Sequence, residues 1–167
     1  MATINEIAKQ LEEALIEFAP VVLDYGKDKV VGFPNETGSS DLVIFIKKDE
    51  MIMNFGFQNA HFAIEDVNSC VEHTKKYLNS EYASVEFFKE EKDLFGGSRL
   101  ASTVNFDTVE GIVNCYALEN QTAKEGLYKF LKENGEITVR AVTYDNKINK
   151  VSKVKFDGEN YVVKVVR

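Results

Sequence analysis

The chain predicts an α+β fold, a mostly antiparallel sheet with three helices largely on one face. Three observations carry that expectation. Apolar residues recur at helical spacing in three separate stretches, two of them opened by capping boxes. Short runs of period two or continuous apolar character fall between those stretches. The order of the two kinds reads as two tandem β-α-β-β units, which generally build an antiparallel sheet backed by helices. With 167 residues the chain is expected to form a single domain over 1–167, large enough to bury roughly 70% of its unfolded surface without disulfides.

The first helix is announced by Thr3-Ile4-Asn5-Glu6, in which hydroxyl and carboxylate each satisfy an orphan N–H. Ile4, Ile7, Leu11, Leu15 and Phe18 follow on one stripe, and Pro20 ends the helix. Short strands are expected near 21–24 and 29–33, then a loop in GFPNETGSSD. That loop lacks the lysine and glycine spacing of a phosphate-binding P-loop. LVIFI at 42–46 is apolar on both faces and suits a central strand. After a polar turn at 47–50, Met51, Met53, Phe55 and Phe57 alternate with Ile52, Asn54, Gly56 and Gln58. Gly56 falls within that strand and marks a bulge or a close approach.

The stretch NFGFQNAHFAIED, residues 54–66, reads as a strand turning into a helix. Asn59 or His61 would cap that helix, with Glu65 and Asp66 in its first turn. Helix two is expected from 64 to 78, with Ile64, Val67, Val71, Thr74 and Leu78 on its apolar stripe and Cys70 and Tyr77 flanking it. Strands follow at 84–89, 99–106 and 111–118. Helix three opens with the box Thr122 to Glu125 and closes at Asn134-Gly135. Strands at 136–144, 151–156 and 160–166 complete the chain, with a hairpin turn at Asp157-Gly158.

Composition narrows the functional classes. The net charge is −7, but residues 121–167 carry ten Lys/Arg against six Asp/Glu, so the remainder carries −11. Such a surface repels nucleic acid and anionic membranes and suits a basic protein partner. Lysines 147, 150, 153, 155 and 164 cluster late in the chain, but Lys153 and Lys155 alternate with Val154 and Phe156 rather than sharing a face with them, unlike a stacking platform for single strands. Cys70 and Cys115, the only cysteines, are expected to be free core residues. The first eighteen residues lack a signal pattern and no stretch is long enough to span a bilayer, so a cytoplasmic location is expected.

No catalytic motif emerges. Phe95-Gly96-Gly97-Ser98-Arg99 reads as a glycine turn, not a nucleophile elbow. His61, Glu65 and His73 make a poor metal set, and no cofactor is expected. The candidate binding residues are instead spread: Asn54, Gln58, Glu86, Arg99, Thr103, Asn105 and Arg140 are placed on one sheet face by strand alternation, and His61 joins them from the helix entry. Three functions are compatible with this pattern. The first is a non-enzymatic protein-binding module, such as a small acidic inhibitor or immunity-type protein. The second is a small-molecule binder with a pocket between helices and sheet. The third is an enzyme using His61 as general base.

Overall fold

The computed structural model describes residues 2–35, 41–56, 58–90, 92, 94, 99–104, 112–115, 117–118, 121–147, 149–155 and 163–166. The chain divides into two compact units, Met1–Asn79 and Ser80–Arg167. Both are α+β, with antiparallel strand pairing throughout.

The first unit opens with α1 (Ile4–Ala14). Its capping box forms as the sequence implies: Glu6 N–H donates to the Thr3 hydroxyl at 3.1 Å, and Thr3 N–H donates to the Glu6 carboxylate at 2.7 Å. Ile7, Ala8 and Leu11 are buried on its inner stripe. The helix tightens into a 3-10 turn, Ile16–Phe18, and Ala19 adopts the left-handed conformation ahead of Pro20. Five strands follow: β1 (Val21–Tyr25), β2 (Asp28–Phe33), β3 (Leu42–Ile46), β4 (Glu50–Phe55) and β5 (Gln58–Ala63). They pair in chain order, each a hairpin neighbour of the last. Helix α2 (Val67–Leu78) completes the unit.

Both helices pack on one face of this sheet. Val31, Phe33, Leu42, Ile44, Ile46, Met51, Met53 and Phe55 point to that face and are fully buried. Helix α2 meets it through Cys70, Thr74, Tyr77 and Leu78. The ring of Tyr77 lies 5.5 Å from Phe55, and that of His73 lies 5.6 Å from Phe62. The helix is thus turned slightly from the expected stripe: Cys70 and Tyr77 lie at its centre, and Val67 and Val71 are only half-buried.

The segment 54–66 departs from expectation. Gly56 is not within a strand; at φ +60° it sits in the β4–β5 turn, a conformation in which glycine carries no Cβ penalty. The chain then returns as β5, so Asn59 and His61 are strand residues and cap nothing. The helix starts later, and its cap is Asp66, whose carboxylate accepts from Ser69 N–H at 3.3 Å.

The second unit contains β6 (Ala83–Phe88), β7 (Arg99–Val104), β8 (Ile112–Cys115), β9 (Ala117–Leu118), α3 (Gln121–Asn134), β10 (Glu136–Thr143), β11 (Asn149–Lys155) and β12 (Val163–Val166). A five-stranded sheet runs β11-β10-β6-β7-β9, and β12 and β8 form a separate ribbon. The stretch expected as one strand, 111–118, therefore serves two sheets. The tandem β-α-β-β grouping is also divided, because β4 belongs to the first sheet and β6 and β7 to another. Helix α3 lies against β7, β9 and β10 and buries Leu131. It begins at Gln121, so Thr122 falls inside the first turn instead of capping it. Its end is as expected: Gly135 has φ +80°, and its N–H donates to the Leu131 carbonyl at 2.8 Å. Strand β6 is buried along all six residues, the interior position that its place in the sheet dictates. Among the described residues no helix is long and apolar enough to cross a membrane.

Candidate binding surface

Strand alternation sends every second residue of the first sheet away from its helices. On that open face the register lines up Leu23, Val30, Phe45, Ile52 and His61 in one row across all five strands. The neighbouring row is Val21, Gly32, Val43, Asn54 and Asn59. Tyr25 leans over the first row, with its ring edge-on to Phe45 at 6.1 Å. An open antiparallel face is normally polar. Here Leu23 is 58% exposed, Tyr25 65% and Val21 42%.

His61 closes the row on edge strand β5. Its Nδ1 is 2.9 Å from a Glu50 carboxylate oxygen, a cross-strand pair with both groups in solvent. Asn54 shares this face. Gln58 does not: it pairs with Phe55 and is 1% exposed beneath the helices. The expectation that Asn54 and Gln58 lie together is corrected by the turn at Gly56, which reverses the chain between them.

The other candidates belong to the second unit. Glu86 and Arg140 are directly paired in the register, and Arg140 Nη2 donates to Glu86 Oε2 at 2.6 Å. They do not form a solvated surface, since Glu86 is 4% exposed. Ser84 Oγ donates to the other Glu86 oxygen at 3.3 Å, Arg140 Nη1 donates to the Leu94 carbonyl at 3.4 Å, and the guanidinium lies over the Phe88 ring. In the backbone register Arg99 falls opposite Phe88 past an irregularity, whereas Thr103 falls opposite Val85, the alternate row from Glu86. Asn105, the glycine turn at 95–98 and the turn at 157 and 158 lie outside the described residues. The eight candidates are thus distributed, with Asn54 and His61 on one open face and the buried Glu86 paired with a half-buried Arg140.

Other chemistry-bearing groups have structural surroundings. Burial pushes the Cys70 thiol up to about 11, against a hydrogen bond with Thr74, and the nearby Asp66 charge adds to the rise. Such a thiol is a poor nucleophile. Burial likewise holds the His73 imidazole below its usual value. Cys70 is free; the Cys115 backbone ends β8. Among the described residues no group of three His, Cys, Asp or Glu is placed to hold a metal ion. A hollow of about 510 Å³ lies at the starts of α1 and α2, lined by Ile7, Gln10, Ile64, Asp66 and Asn68 among others. Its Asp66 already caps α2. A second, of about 480 Å³, lies beside β10, where Lys153 pairs with Glu136 and Lys92 with Glu90.

No protein-family model matches the chain, and no curated protein or solved structure matches it either.

Proposed function

We propose that the protein is a non-enzymatic binding module for a basic protein surface, in the manner of a small acidic inhibitor or immunity-type protein. One observation carries this reading: the negative charge is concentrated on the first unit. Residues 1–79 hold seven lysines against thirteen carboxylates, a balance of −6 within the total of −7. Glu13 and Glu17 are exposed on and just beyond α1, and Glu12 is half-buried beside them. A field of this sign accelerates encounter with a basic partner and discourages acidic ones.

The test is kinetic. With a partner isolated from the native host, association should slow as salt rises. Reversing Glu12, Glu13 and Glu17 to lysine should slow it further at low salt. An association rate insensitive to salt rejects the reading. A small metabolite that co-purifies and binds saturably, with no protein partner, would favour the hollow at the helix starts instead.

A further inference from the structure

We infer that the open face of the β1–β5 sheet is the docking surface, and that it receives an apolar ridge of a protein partner flanked by lysine or arginine. This rests on the binding reading above and goes further by naming the surface and the chemistry of its occupant.

The first argument is the apolar row itself. Leu23, Val30, Phe45 and Ile52 form a continuous apolar band, exposed at Leu23 and half-buried at Val30, Phe45 and Ile52, and extended by the exposed Tyr25 and Val21. Contiguous exposed apolar surface of this kind marks interaction sites. The second argument is Gly32. Glycine in mid-strand weakens a sheet and often marks where another chain approaches closely. Gly32 has no conformational need to be glycine, because it lacks a positive φ. A Cβ there would meet only Val21 O and a Val43 methyl, each at 3.8 Å, which is ordinary contact. The fold itself therefore tolerates a side chain at this position. Its absence leaves a notch between Val21 and Val43 on the open face, shaped to take a side chain from outside.

Charge and size select the occupant. The charged residues of this face fall toward one end of it, with Asp28 opposite Tyr25, and Glu50 beside His61 and next to Lys47 at the hairpin. The rows from Leu23 to Ile52 and from Val21 to Asn54 carry no charge, so the contact itself is apolar. The surrounding unit is at −6, so the partner's flanks are basic, and two copies of this unit repel one another. Five strands about 4.8 Å apart and about 17 Å long present roughly 400 Å². That is about half of the roughly 800 Å² per partner in a standard stable interface. The face suits a ridge or an extended segment better than a second copy of the chain.

The experiment pans a phage-displayed library of random linear peptides on the immobilised full chain, then measures resynthesised peptides in solution. Selected peptides should combine large apolar residues with lysine or arginine and bind more weakly as salt rises. Leu23→Ser and Tyr25→Ser should each weaken binding about tenfold, as interface anchors do. Gly32→Val fills the notch while raising strand propensity. It should leave the melting temperature unchanged or higher and still weaken binding about tenfold. Basic, salt-sensitive peptides whose affinity ignores all three substitutions would overturn the surface and leave the basic-partner reading standing. Selection of acidic or uncharged peptides, or of none, would overturn that reading as well. Self-association of the chain that Leu23→Ser abolishes would show a second copy as the occupant and overturn the proposal.

Discussion

His61 and Asp66 show how one turn redistributes roles among neighbouring residues. Asp66 accepts from Ser69 N–H and caps α2, whereas His61 is an exposed strand residue paired with Glu50. Asp66→Ala should therefore lower unfolding free energy by about 1 kcal/mol, the usual cost of losing a cap. His61→Ala should stay within about 0.5 kcal/mol of wild type, as surface substitutions do. Urea melts of the two variants check the ordering. Asp145 gives a pH-dependent case. Burial pushes its carboxyl up, but the Lys147 N–H, the Thr143 and Ser80 hydroxyls and the Lys147 charge outweigh burial and hold it below the usual 3.8. A depressed folded value means that the stabilisation is present above the unfolded value and is lost as pH falls through the folded one. Asp145→Asn should thus be less stable than wild type at neutral pH, and the gap should close in acid below 3.8. Thermal melts across pH measure it. At this scale the local signals were readable. Thr3 with Glu6 and Gly135 act within one turn of themselves, and their spacing alone specifies what they do. Asp66 reads as a first-turn acid of a helix starting at 64, three residues before the actual start that makes it the cap.

Strand β5 was not readable as an element. Its covered residues are Gln58, Ala60 and Phe62, so the apolar period of two is short and weak: it opens on a buried glutamine and includes only one large apolar side chain. An edge strand with one partner needs less of that signal, and the turn at Gly56 looked like a continuation of β4. The candidate site was partly legible for the same reason. Alternation correctly placed Asn54 outward, but a missed reversal put Gln58 on the wrong side. It also treated Glu86 as solvated, because sequence does not show which strand becomes interior. The β6–β10 pair supplies the test at this level. Arg140→Met leaves Glu86 buried without its partner and should cost about 3 kcal/mol. Arg140→Met with Glu86→Leu removes both charges and should restore most of that loss. Chemical denaturation of the single and double variants decides whether the pair is held by mutual need.

For the whole molecule, the fold class followed from helical and strand periodicities, but the assignment of strands to sheets did not. Pairing is set by contacts between residues far apart in sequence, and no local pattern encodes them. The difference between the units has a consequence in time. In the first, every strand pairs with its predecessor in the chain. In the second, β6 pairs with its successor β7 on one side but on the other must wait for β10, and Glu86 meets Arg140 across 54 residues. Local pairing closes small loops and folds quickly, and long-range pairing is slow. Refolding should show a fast phase that protects β1–β5 amides and a slower one that protects β6 and β10, as read by pulsed hydrogen exchange. A single phase protecting both sheets together would reject this. On the ribosome, where N-terminal regions emerge first, the sheet bearing the apolar row can be complete while β10 is still untranslated. The apolar band is then presented to its surroundings before the rest of the chain has its shape, so the proposed docking surface is ready while the protein is still being made.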